Sequence, residues 1–168
     1  LAFTLIISLP LQAAELDVGY IQKLIQNGQN DKALNILKEN DISNKPDLRF
    51  YKALLYSWNE KYKVAIGILK DLINEYPDRL DFYTHLGRVY GWRGEYEKAE
   101  KIINEAQSRQ SSPQRTALLA QLAEWQHKWH QAYDLRKEAH ESALGTELET
   151  EYEKLLKQAK KKIRPTNF

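Results

Sequence analysis

Three tryptophans recur at near-constant spacing: Trp58, Trp92 and Trp125 each stand seven residues before an alanine (Ala65, Ala99, Ala132). An indole has a broad apolar face and one polar edge. A row of them could anchor an extended peptide or stack on a sugar ring. The same spacing suits another use, in which each ring packs on the neighbouring unit and stiffens a stack. Identical repetition favours that second use, because ligand contacts rarely repeat in register. Near the row fall Phe50, Tyr51, His85, Arg88, Gln121 and Glu124, together with Leu54 and Gly91. Leu54, Arg88 and Gln121 hold matching places, and of these only Arg88 offers a charge-assisted donor to a carboxylate.

Other chemistry is thin. His127 and His130 are three apart with Glu124 nearby, a spacing at which two imidazoles could share a metal, but no further ligand follows. His85 and His140 are isolated. The 168 residues include no cysteine, which excludes disulfides, zinc–thiolate sites and cysteine nucleophiles. No Gly-rich phosphate loop, paired-carboxylate motif or Ser-His-Asp order stands out. The residues therefore predict no catalytic centre, no metal and no cofactor. A net charge of +2 gives no global field toward nucleic acid or an anionic membrane.

The elements that must position these side chains are helical. Gly and Pro are sparse, at 7 and 5, and the abundant Ala, Leu, Glu, Lys and Gln favour helix. Apolar residues recur every three to four positions, never in a sustained alternation of two. Four turn regions align: Asn27 to Ala33, Asn59 to Ala65, Arg93 to Ala99 and Gln126 to Ala132, their final alanines 32, 34 and 33 residues apart. A near-constant period of this length marks a stacked solenoid of helical hairpins. Small residues mid-way along the first helices (Ala53, Gly87, Ala120) and the turn alanines would let paired helices approach closely. Ile36/Leu37, Ile68/Leu69 and Ile102/Ile103 would face the core between units, and Tyr62, Tyr96 and Trp129 would close the hairpin ends. The reading divides the chain into units of about 15–45, 46–79, 80–112 and 113–145. A capping helix follows over 146–164, opened by a Thr146/Glu149 capping box, and a tail over 165–168. Units one and four are the atypical ones, with Leu24 and Asn40 in the first and Ala123 and Arg136 in the fourth where the pattern calls for other residue types. The basic end of the capping helix suits its dipole and reads as a solvated face.

At the other terminus, Leu1 to Leu11 is an uncharged apolar run followed by Gln12-Ala13-Ala14. It is shorter than the roughly 20 residues a membrane-spanning helix needs. It reads as the remnant of a secretory signal over 1–14, with cleavage after Ala13 or Ala14. A short buried helix or a cap on the first unit is the alternative.

The third unit carries a family resemblance: Leu86-Gly87-x-x-Tyr90, Gly94-x-Tyr96-x-x-Ala99 and Ala106 resemble the tetratricopeptide repeat (TPR). The resemblance implies an all-α, right-handed superhelical solenoid of about four TPR hairpins plus a C-terminal capping helix, acting as a non-catalytic protein-binding scaffold. First helices line the concave face of such a superhelix, which places Trp58, Trp92, Trp125, Arg88, Phe50, Tyr51, His85, Gln121 and Glu124 there as the partner-binding surface. The Lys/Asn arrangement with which some members clamp a C-terminal carboxylate is not evident. The motif from Leu86 to Tyr96, with tryptophan again at Trp58 and Trp125, is similar to the periplasmic repeat domains of outer-membrane proteins of the YaiO type and of exopolysaccharide export porins. That likeness implies a periplasmic or outer-membrane-associated scaffold for envelope proteins, attached to the membrane only through a β-barrel beyond Phe168. A polysaccharide-binding module is the alternative. Nucleic acid is not an expected partner.

Overall fold

The computed structural model describes residues 16–163; the expected signal remnant and the 165–168 tail lie outside the described residues. Among the described residues all regular structure is helical, in nine helices. These are α1 (Val18–Gln26), α2 (Asn30–Glu39), α3 (Pro46–Trp58), α4 (Tyr62–Glu75), α5 (Leu80–Trp92), α6 (Tyr96–Arg109), α7 (Pro113–Trp125), α8 (Trp129–Ala143) and α9 (Glu149–Lys162). They pair as hairpins α1/α2, α3/α4, α5/α6 and α7/α8, and α9 packs on α8.

Each hairpin turns in the same way. The residue after the first helix's cap takes a left-handed conformation: Gly28 (φ 72), Glu60 (φ 57), Gly94 (φ 76) and His127 (φ 59). The next N–H then reaches back five residues, as in Gln29 N–H to Leu24 O (2.8 Å), Lys61 N–H to Tyr56 O (2.9 Å), Glu95 N–H to Tyr90 O (2.9 Å) and Lys128 N–H to Ala123 O (2.9 Å). This Schellman geometry satisfies the helix's last carbonyls and aims the chain back along itself. Glycine suits the left-handed site, and Glu60 and His127 hold it as strained exceptions.

Small residues set the spacing within hairpins. Ala33, Ala53, Ala65, Ala99 and Ala120 have no exposed surface and Ala132 is 1% exposed. A Cβ on Gly87 would lie 2.4 Å from Ile103 Cδ1, so α5 and α6 approach as closely as they do because Gly87 has none. Of the paired apolar positions, Leu37, Leu69 and Ile103 are the fully buried members, while Ile36, Ile68 and Ile102 are half-buried at the edges.

The order of contacts gives the curvature. Successive first helices touch (α1 with α3, α3 with α5, α5 with α7), whereas no successive second helices bring Cα atoms within 8 Å. The stack therefore bends with its first helices on the inside, forming the concave face. Arg79, just before α5, donates to Asp47 of α3 (2.8 Å) and to Asp81 (3.0 and 2.8 Å), tying two of these inner helices together.

The cap departs from this spacing. α9 packs on α8, but its Cα atoms stay more than 8 Å from those of α7. Its start also differs from the expected capping box. Thr146 Oγ1 accepts from the Leu148 N–H (3.2 Å), one residue short of Glu149, and the Glu149 carboxylate accepts from Gly145 N–H (2.8 Å). Gly145, at φ 75, adds a turn that shifts the box one residue back along the chain.

Candidate functional site: the concave groove

Two adjoining hollows lie on the concave face. The first, about 320 Å³, is lined by Phe50 and Leu54 of α3, by Thr84, His85 and Arg88 of α5, and by Gln114 and Arg115 of α7. The second, about 390 Å³, runs from Arg88 and Gln114 past Leu118 and Gln121 to Arg136 of α8 and to Tyr152 and Leu155 of α9. The second exists because α9 stands away from α7. Arg88 and Gln114 line both, so Arg88 lies at their junction.

Arg88 stands there without an ion-pair partner. Among the described residues no carboxylate pairs with it; its side chain is exposed, and the helices beside it desolvate the guanidinium only enough to lower its pKa from the ordinary arginine value. Of the nearby carboxylates, Asp81 is engaged with Arg79 and Glu124 with the Arg136 guanidinium at 3.2 Å, while Glu151 lines the second hollow without an ion pair among the described residues. Arg136, only 6% exposed, also donates to the Ala117 carbonyl (3.2 Å). That pair explains how a cation sits at a usually apolar position of the fourth unit. Arg115, likewise buried, spends its donors on the neutral oxygens of Gln107 (3.2 Å) and Gln110. The groove thus carries an arginine, Arg88, that makes no ion pair, with Glu151 as the unpaired acid of the second hollow.

His85 is buried at 6% exposure between the rings of Phe50 (5.5 Å, edge-on) and Trp92 (6.1 Å, edge-on). The Ser57 hydroxyl gives its proton to the Leu54 carbonyl (2.7 Å), so its contact with His85 Nε2 (3.1 Å) is one in which the imidazole N–H donates. Burial, with the Arg88 charge adding to it, pushes the His85 pKa down to about 4. A neutral imidazole that donates to an already engaged hydroxyl does not activate a nucleophile. The Ser57–His85 pair, which sequence spacing did not reveal, is a hydrogen-bonded strut.

The tryptophan row lies outside both hollows. Trp92 faces Tyr62 of the preceding unit (6.4 Å between ring centroids) and Trp125 faces Tyr96 (6.5 Å). Trp125 also covers Gly91, where a Cβ would come within 2.9 Å of its Cζ3. Trp58 has Asn30 at the corresponding turn position, no ring facing it among the described residues, and 45% exposure. Trp129 completes the series: the position facing it is Lys162, whose Nζ lies 4.8 Å from the ring centroid. Of the other expected residues, Phe50, His85, Arg88 and Gln121 line the groove. Tyr51 instead turns toward the first hairpin, where its hydroxyl accepts from Gln22 Nε2. Glu124 reaches the groove only through Arg136. His127 packs edge-on against Trp129 at 5.4 Å, and among the described residues no three His, Asp or Glu side chains gather as a metal site.

The sequence reading missed Gln114, Arg115 and Tyr152. Tyr152 had a usable signal, being four residues after Leu148 and three before Leu155 on one helical face.

The tetratricopeptide repeat family model matches residues 59–123, the second turn through most of α7. Solved structures give the fold. A thermophilic TPR protein of Thermus thermophilus superposes with a TM-score of 0.75 at 18% identity, covering 84% of this chain and 78% of its own. A tetratricopeptide repeat protein of Parabacteroides merdae ATCC 43184 gives 0.67 at 16%, covering 89% and 61%. MamA of Desulfovibrio magneticus RS-1 gives 0.61 at 14%, covering 86% and 87%. No curated protein sequence matches the chain. The fold is an all-α tetratricopeptide solenoid with a C-terminal helix.

Proposed function

We propose that this chain of tetratricopeptide hairpins is a non-catalytic scaffold of the bacterial periplasm, which holds a segment of an envelope protein in its concave groove. Tetratricopeptide domains in general bind protein partners. The observation that carries the reading is Arg88: an exposed guanidinium that makes no ion pair, at the junction of two hollows on the inner face. A carboxylate on an extended partner segment joins it in a bidentate pair. Gln114 and Gln121 offer amides to that segment's backbone, and Phe50, Leu54 and Leu118 give it apolar contact.

The periplasmic setting is supported by the Leu1–Leu11 run with Ala13 and Ala14 behind it, and by the Leu86–Tyr96 motif's likeness to the repeat domains of YaiO-type and exopolysaccharide-export outer-membrane proteins. In that setting the chain precedes a β-barrel. Among the described residues no helix is long and apolar enough to cross a membrane.

The test is site-specific photo-crosslinking in envelope preparations, with the reactive group at Gln121 or at the exposed second-helix position Lys63. The scaffold reading expects a discrete protein adduct from Gln121 and none from Lys63. Equal labelling from both positions counts against the groove.

A second reading, contact with a polysaccharide, is favoured by one observation: Trp58 is exposed and unstacked. Oligosaccharide titration followed by indole fluorescence tests it, and an unchanged signal at millimolar sugar counts against it.

A further inference from the structure

The convex side carries a cleft that peptide binding in the groove leaves unused. It opens between α4 and α6, whose Cα atoms stay more than 8 Å apart. Leu86 and Tyr90 of α5 form its floor, and Ile73 of α4 and Ile102 of α6 wall a space of about 230 Å³. The rim is basic. Lys98 lies 5.7 Å from the Tyr90 ring centroid and bridges Glu95 at 2.6 Å. Lys70 and Lys101 are exposed and bridge no carboxylate among the described residues. Among the described residues the acids beside these lysines are Glu105, held by Arg109 at 2.9 Å, and Glu95, held by Lys98 and by Arg93 at 3.0 Å, with the Lys70 charge also acting on it. An apolar floor under unpaired ammonium groups is complementary to a molecule that is hydrocarbon at one end and anionic at the other.

We propose that this cleft binds a free single-chain anionic amphiphile of the fatty-acid type, its alkyl chain on Ile73, Leu86, Tyr90 and Ile102 and its carboxylate on Lys70 and Lys101. The floor favours an alkyl chain over a peptide. The backbone groups of the three surrounding helices are spent on their own hydrogen bonds. A peptide pressed into the cleft leaves its own N–H and C=O groups unpaired there, whereas an alkyl chain has none to lose. At about 30 Å³ for each water-sized unit, the space takes roughly eight carbons.

The experiment uses the 168-residue chain with labelled isoleucine δ-methyl groups, titrated below micelle-forming concentrations with hexanoate, octanoate, decanoate and octanol. The methyl signals of Ile73 and Ile102 shift saturably, while those of Ile21 and Ile42 in the first hairpin stay in place. Affinity rises about fourfold per methylene up to octanoate, as expected for burial of each CH₂, and levels off beyond it. The exposed double variant K70E/K101E keeps the melting temperature, weakens octanoate at least fivefold and leaves octanol unchanged. The proposal is overturned by the absence of saturable shifts up to millimolar octanoate, or by wild-type octanoate affinity in the double variant. Binding to anionic vesicles without any response to octanoate also overturns it and assigns the patch to a membrane surface.

Discussion

The Trp92 ring lies 6.4 Å from that of Tyr62, tilted by 40°, so that the last residue of one first helix closes the turn of the unit before it. Trp125 and Tyr96 repeat the arrangement at 6.5 Å and 42°, and Lys162 over Trp129 replaces an aromatic pair with a cation–π contact. The turn ends of the second, third and fourth hairpins are thus each fastened to the following element by a ring. At the N-terminal end the series stops, because Asn30 stands where Trp58 would find its tyrosine.

Alanine substitution should separate these roles. Trp125→Ala, which also empties the space over Gly91, is expected to cost about 3 kcal/mol, and Trp92→Ala about 1–2 kcal/mol. Trp58→Ala should stay within about 0.5 kcal/mol, as for an exposed side chain with little to lose. Urea unfolding followed by circular dichroism reads all three. Equal losses would contradict the ring-fastening account.

Two helical glycines should respond with opposite signs. A Cβ on Gly91 meets Leu122 Cδ2 at 2.6 Å and Trp125 Cζ3 at 2.9 Å, while one on Gly67 meets nothing within 4 Å. Gly91→Ala is expected to destabilise by about 1–3 kcal/mol through overpacking between units. Gly67→Ala, on an exposed face of α4, should stabilise by about 0.5–1 kcal/mol through helix propensity and a less flexible unfolded chain. Their melting temperatures should move in opposite directions.

These elements also show what the sequence made legible. The alanine period located the turns because a side chain larger than Ala33, Ala65, Ala99 or Ala132 would force the paired helices apart, a constraint that leaves a mark on residue type. The left-handed turn residues were legible at Gly28 and Gly94 but not at Glu60 and His127, where a backbone bond pattern overrides residue preference. The tryptophan row was visible as a row, yet its direction depends on which side of the first helix faces the previous turn, and spacing alone does not fix that. Arg88 could be singled out, but its lack of an ion pair could not. Arg79 holds Asp81, Arg136 holds Glu124, and Glu151 lines the same hollow without pairing with Arg88, all of which are arrangements in space. The second hollow arises from α9 standing off α7, which follows from the Gly145 turn and from the packing of Tyr152 with Ala117, Ala139 and Ala143.

His85 should make stability depend on pH. Its folded pKa is lowered from 6.5 to about 4, so between these values the unfolded chain binds more protons than the folded one. Stability from this group is intact above pH 6.5 and is lost as pH falls toward 4. The loss between pH 7 and pH 5 amounts to about 2 kcal/mol. His85→Gln keeps a donor for Ser57 without a titrating ring. Its stability should fall less over the same interval, and denaturant midpoints at pH 7, 6 and 5 make the comparison. Parallel curves for the two proteins would show that His85 is not desolvated as described.

The central claim is that the concave groove holds a partner segment through Arg88. Its most direct test is isothermal titration of the segment crosslinked at Gln121 against the wild-type chain and the Arg88→Glu and Arg88→Lys variants. Arg88→Glu removes a bidentate pair and sets a like charge against the partner's carboxylate, so it should lose at least tenfold in affinity, about 1.4 kcal/mol or more. Arg88→Lys, which keeps the charge but not the fork, should fall between. Unchanged affinity in Arg88→Glu, with its helical content intact, would contradict the claim.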